Sequence, residues 1–163
     1  MNSFRVVQID HVEMFVPDRR EAAAWYQRVL GLEVIPEFQD WAAGQGPLMI
    51  SSDGGSTKLA LFEGQPQEQS PTRGFHRVAF RVGAESFVDF LRRLGDLRLN
   101  DSQGRPITSD DVFDHEKAYS IYFLDPYGHR LEVTTYECEA TRAALAEIRK
   151  GGAGDRLDRD EQK

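Results

Sequence analysis

Apolar and polar positions alternate from Val7 to Val16, then switch after Pro17-Asp18 to a helical spacing in which Ala22, Trp25, Tyr26 and Val29 form one stripe. A period of two reads as a strand and one near 3.6 as a helix. The opening therefore predicts a strand, then a helix over Arg19 to Leu30 with Asp18 as its N-cap and Gly31 as a left-handed C-cap. Strand-like runs follow at Leu32 to Phe38, Pro47 to Ser51 and Lys58 to Phe62, divided by turn signals at Ala43-Gly44-Gln45-Gly46 and Asp53-Gly54-Gly55-Ser56. The pattern then restarts. It predicts a strand from His76 to Val82, a helix from Ala84 to Leu94 with the stripe Phe87, Phe90, Leu91 and Leu94, and strands near Ile107, at Tyr119 to Leu124 and at Arg130 to Tyr136.

The restart is an internal repeat. Residues 9–35 and 75–99 share the order strand, helix, Gly, strand, and aligning His11 with His76 also pairs Phe15 with Phe80 and Trp25 with Phe90. The prediction is an α+β chain of two tandem βαβββ modules, over residues 7–64 and 75–137, joined by a Gln-, Pro- and Ser-rich linker at 65–74. Residues 138–163 read as a short Ala-rich helix followed by a polar tail.

Composition excludes several classes. With 163 residues, 40% hydrophobic and 29% charged, the chain has the balance of an ordinary folded domain. A net charge of −7 disfavours nucleic acid and anionic lipid as partners, and no apolar run approaches the length needed to span a bilayer. The N-terminus passes straight into alternating sequence without a signal-like apolar segment, and the single cysteine, Cys138, leaves no internal disulfide. These features predict a cytoplasmic protein. Nothing around Cys138 resembles an activating setting, so it reads as a bystander thiol.

Three residues carry candidate chemistry. His11, His76 and Glu132 each sit on a strand-like segment, and two imidazoles with one carboxylate make a divalent iron or manganese site with open positions. By alternation His11 shares a face with Glu13 and Phe15, His76 with Val78 and Phe80, and Glu132 with Thr134 and Tyr136. Arg77 and Arg81 then fall on the face assigned to the helix, which leaves that coverage thin. Each histidine has a plainer reading, since a strand histidine is usually a satisfied polar residue; Glu13, two residues after His11, is either a base beside the ligands or, more simply, an exposed strand carboxylate. Glu132, flanked by Leu131 and Val133, is costly to bury without a partner.

The repeat together with YF-DP-G-E over Tyr122 to Glu132 resembles the vicinal oxygen chelate superfamily, which includes glyoxalase I, fosfomycin and bleomycin resistance proteins, methylmalonyl-CoA epimerase and type I extradiol dioxygenases. The resemblance implies two modules curled into half-open sheets around one metal, with His11, His76 and Glu132 as its ligands, and a homodimer. A fourth ligand of glyoxalase-like members maps within residues 59–63. Aligning Gly55 with Gly128 sets Leu59 opposite Glu132, and Glu63 lies about 13 Å further along the strand.

The stretch from His115 resembles the extradiol signature more closely: His115 is followed by Ile121, Tyr122, Asp125, Pro126, Gly128 and Glu132, with Phe113 departing from the smaller residue expected two before the His. This implies an extradiol-type dioxygenase that cleaves a catechol-like aromatic diol with dioxygen, using Fe(II) or else Mn(II). Tyr122 would hold a substrate oxygen and His115 would deliver a proton. His115 reads equally well as a loop residue before a strand, and Tyr122 as packing. His129 alternates away from Glu132 and is left out of the site. The alternatives are a glyoxalase-like lyase, isomerase or thiol transferase of the same fold, or a metal-free drug-binding resistance protein.

Overall fold

In the computed structural model, residues 9–65 and 77–148 are described. The chain divides into two compact units, Met1–Arg73 and Gly74–Lys163. The expected linker and C-terminal tail, and His76 with them, lie outside the described residues.

In the first unit, β1 (His11–Val16) leads into α1 (Arg19–Leu30), followed by β2 (Glu33–Val34), α2 (Gln39–Ala43), β3 (Leu48–Ser51) and β4 (Lys58–Glu63). The caps of α1 are those expected. The Asp18 carboxylate accepts from the amides of Arg20 and Glu21 at 2.8 and 2.9 Å, and Gly31, at φ 69°, turns the chain out of the helix. The sheet order is β1-β4-β3-β2, with β1 parallel to β4 and the other pairs antiparallel. Met14 and Val16 point to α1, where the Tyr26 hydroxyl meets Met14 Sδ, and they are buried with Leu48, Ile50, Leu59 and Leu61.

The second unit repeats this topology with β5 (Val78–Arg81), α3 (Ala84–Arg92), α4 (Leu94–Leu97), β6 (Phe113–Asp114), β7 (Tyr119–Leu124) and β8 (Arg130–Thr135) in the order β5-β8-β7-β6. Again the first and last strands are parallel. Phe90 of α3 packs at a tilt against Phe123, placing the helix on the face lined by Ile121, Leu131 and Val133. Residues 138–148 are helical, as expected. Among the described residues no helix is long and apolar enough to cross a membrane.

Three expected elements are corrected. The strand over Leu32 to Phe38 stops at Val34, because Pro36 has no N–H for the ladder; a 3-10 turn at Pro36–Phe38 and α2 replace the rest. The helix from Ala84 breaks at Arg93 and resumes as the short α4. The strand near Ile107 is only a bridge, Asn100 with Pro106, and the sheet's fourth strand is the two-residue β6. Pro106 cannot donate to a longer ladder.

Candidate active site

On β1, His11, Glu13 and Phe15 stand on the face away from α1, beside Lys58, Ala60 and Phe62 of β4 in register. This is the face predicted from alternation. His11 Nδ1 lies 2.7 Å from one oxygen of Asp10, whose other oxygen accepts from Lys58 Nζ at 2.8 Å. Lys58 also donates to the Gly55 carbonyl, so its ammonium is nearly enclosed yet paired. The hydrogen bond from Lys58, and then that from His11, hold the Asp10 carboxyl below its ordinary range. A carboxylate fixed on Nδ1 sets the ring orientation and leaves Nε2 as the exchangeable nitrogen, 3.5 Å from Glu13 Oε1.

In the second unit the β5–β8 register decides which residues meet Glu132. Ala79 is its cross-strand partner on one side and Tyr122 on the other, so Ala79, Tyr122 and Glu132 share the face away from α3. Val78 and Phe80 pair instead with Leu131 and Val133 on the helix-covered face. The expectation that Val78 and Phe80 line the ligand face is therefore corrected. The residues that do so are Ala79, Arg81 opposite Thr134, and Arg77, whose guanidinium reaches Glu132 Oε2 at 3.7 Å and lies 4.1 Å over the Tyr122 ring. The signal was present in the strand itself: Arg77, Ala79 and Arg81 alternate with Val78 and Phe80, the pattern of a sheet with one covered face. Asp10 was also missed, and its adjacency to His11 was the available cue.

His115 and Tyr122 are brought together. His115 opens the hairpin between β6 and β7, where its amide donates to the Ala118 carbonyl at 2.8 Å. Its Nε2 lies 2.7 Å from the Tyr122 hydroxyl. Phe113 stacks on the His115 ring, with centroids 6.2 Å apart, and meets Tyr122 edge-on. The departure from the extradiol signature at Phe113 is thus an aromatic wall beside the pair. His129 stays apart, its Nδ1 held at 2.7 Å by the buried Asp125 in the turn before β8.

The fourth-ligand position is aliphatic whether taken from the glycine alignment, as Leu59, or from the ligand face of β4, as Ala60. Leu59 faces α1, paired with Val12, while Ala60, paired with Glu13, occupies the ligand face. Glu63 pairs with Val16 and lies 3.8 Å from Arg19 of α1. Neither aliphatic side chain can bind a metal, and Glu63 belongs to the helix side.

The donors themselves suit a divalent cation. His11 offers an oriented imidazole nitrogen. Glu132, with a side chain only 16% exposed, has a single ion-pair partner among the described residues. Its 3.7 Å separation from Arg77 exceeds the ~2.7–2.9 Å of a charge-assisted hydrogen bond, so carboxylate lone pairs are left over. Among the described residues no three His, Cys, Asp or Glu side chains form a metal-holding group by themselves; the expected set includes His76, which lies outside them.

Known proteins bear on this geometry. The metallothiol transferase FosB of Staphylococcus epidermidis is 24% identical over 147 residues, covering 83% of this chain and 93% of that protein. FosB of Staphylococcus saprophyticus is 28% identical over 131 residues, covering 80% and 78%. Among solved structures, the oxidase ChaP-H2 superposes with a TM-score of 0.58 at 24% identity, over 80% of this chain and 94% of that one. A mutant of the fosfomycin resistance protein FosX from Listeria monocytogenes, complexed with Mn(II) and 1S,2S-dihydroxypropylphosphonic acid, gives 0.59 at 20% identity, over 83% and 97%. These likenesses share the paired-module fold. The family model that matches residues 8–133 spans both modules, and with it the chain belongs to the Glyoxalase/Bleomycin resistance protein/Dioxygenase superfamily.

Proposed function

We propose that the chain is a cytoplasmic, homodimeric metal-dependent enzyme in which His11 and Glu132 are ligands of a divalent ion, Mn(II) or Fe(II), and that it carries out nucleophile addition or isomerisation on a small substrate. The reaction class is that of the metallothiol transferases it resembles. The observation that carries the reading is Glu132: a carboxylate on the uncovered sheet face, shielded from solvent, with acceptor capacity its arginine neighbour does not use. The two FosB relatives, each matched over more than three quarters of both chains, favour thiol transfer over ring cleavage.

A divalent ion supplies a Lewis acid that polarises a substrate oxygen. The chain's own residues do the rest. Asp10 orients the His11 ring through Nδ1, Tyr122 stands cross-strand from Glu132 with its hydroxyl on His115, and His115 exchanges the proton of that hydroxyl through Nε2. In an addition, the thiol gives its proton to His115 as its sulfur forms a bond to carbon, a carbon–oxygen bond breaks, and the departing oxygen takes the Tyr122 proton, after which His115 passes its own proton to Tyr122.

A second reading keeps the expected extradiol dioxygenase acting on a catechol-like diol, and the 2.7 Å contact between His115 and Tyr122 within the extradiol-like signature favours it. The two separate in one experiment. Protein loaded anaerobically with Mn(II) or Fe(II) is mixed either with a small thiol and an epoxide-bearing phosphonate, or with a panel of catechols in air. Thiol-dependent loss of the epoxide without oxygen uptake is the expected result. Oxygen uptake with a yellow ring-cleaved product would replace thiol transfer by the dioxygenase, and activity in neither arm would sink both.

A further inference from the structure

Arg77 is only partly satisfied among the described residues. A guanidinium carries five N–H donors, yet among the described residues Arg77 makes no hydrogen bond and meets only Glu132 at 3.7 Å and the face of Tyr122 at 4.1 Å. Stacking on the ring fixes the guanidinium plane and leaves its edge donors for another acceptor. The side chain is one-third exposed, at 33%, and it opens onto a cavity of about 320 Å³ lined also by Phe113, Tyr122, Leu124 and Arg105.

The other charged residues lining the cavity, Asp101, Arg105, Asp111 and Arg130, each have a partner of their own. Arg105 is held by Asp101 through Nε at 2.7 Å and through a terminal nitrogen at 2.6 Å. Asp111 accepts from the amide of Thr108 at 2.8 Å and from its hydroxyl at 3.1 Å. Glu132 is too distant from Arg77 for a strong bond. Arg77 is then a planar donor array facing a cavity with aromatic side walls.

We propose that this cavity takes a small oxyanion, a carboxylate or phosphonate joined to a flat or apolar body, with Arg77 holding the anion and Phe113 packing the body. The inference rests on the reading of this face as the substrate site and narrows the substrate class. Bidentate pairing of a guanidinium with an oxyanion supplies both affinity and orientation, which a lysine at the same place cannot fully reproduce.

The test uses the metal-free full chain, so it does not depend on turnover. Phenylphosphonate, benzoate and neutral benzyl alcohol are titrated by isothermal calorimetry and by amide chemical shifts. Both anions bind the wild-type protein and benzyl alcohol does not. Arg77→Gln weakens the anions by about tenfold or more, Arg77→Lys by less, and Arg92→Gln, which removes an exposed arginine of α3 paired with Asp89, leaves them unchanged. Circular dichroism checks that each variant folds, and Arg77→Lys carries the comparison if the glutamine variant does not. Undiminished anion binding in the folded Arg77 variants overturns the proposal, as does benzyl alcohol binding as tightly as benzoate. Mn(II) binding is measured separately by electron paramagnetic resonance. Its absence would remove the metal enzyme while leaving the anion result readable, and the reverse outcome would remove only the anion site.

Discussion

His115 Nε2 and the Tyr122 hydroxyl stand 2.7 Å apart at the end of one hairpin, with Phe113 against both rings. If the pair handles one proton, His115→Gln and Tyr122→Phe each lower kcat by about 10²–10⁴, the usual range for a positioned acid or base. The double variant falls little further than either single one, because the two groups act as a unit. Steady-state kinetics on the metal-loaded protein measure this. Additive losses would show that they act separately.

The metal assignment makes a graded prediction. His11→Ala and Glu132→Gln abolish tight Mn(II) binding, whereas Asp10→Asn, which keeps a side chain beside His11 but removes the charge that orients its ring, weakens it by about 10–100-fold. Glu63→Gln changes nothing, because that carboxylate pairs with Arg19 on the α1 side of the sheet. Equilibrium dialysis with elemental analysis reads all four. An effect of Glu63→Gln as large as that of Glu132→Gln would contradict the register.

What could be read beforehand divides along local and non-local lines. Asp18, Gly31 and the alternation around His11 are set by neighbours a few residues away, and they stand where the chain predicts them. The face of Glu132 was legible for the same reason: Leu131 and Val133 beside it are apolar and buried. The β5 face was not. Placing Val78 and Phe80 beside the ligands set a metal pattern above the plain alternation of Arg77, Ala79 and Arg81, and only the pairing of Ala79 with Glu132, more than fifty residues apart, decides it. Strand β6 escaped because two residues carry no period, and Pro36 cut β2 short where composition alone read as extended.

Acid sensitivity has a specific source in the turn before β4. The amide of Thr57 and the Ser51 hydroxyl donate to the Asp53 carboxylate, at 3.0 and 2.7 Å, and hold its pKa below the ordinary 3.8. A carboxyl depressed on folding adds stability above its unfolded value and loses it as pH falls through the folded one. The wild-type protein should therefore exceed Asp53→Asn in thermal midpoint at neutral pH, and the gap should close as pH drops below 3.8. Parallel melts across that range give the difference directly. A gap that widens toward acid would reverse the assignment.

Stability and ligand binding should separate on two residues of the second unit. Ile121 is fully buried at the centre of β7, paired with Val133, so Ile121→Ala leaves a cavity and costs about 2–5 kcal/mol. Phe113 is 56% exposed on the two-residue β6, where removing its ring empties no core, and Phe113→Ala should shift stability by less than about 0.5 kcal/mol. The order inverts for the cavity beside Arg77. Phe113 lines that wall and Ile121 does not, so Phe113→Ala loses phenylphosphonate affinity while folded Ile121→Ala keeps it. Urea unfolding and calorimetric titration on the same preparations provide both numbers. Should Phe113→Ala unfold as readily as Ile121→Ala, the ring would be part of the core and its place in the binding wall would have to be withdrawn.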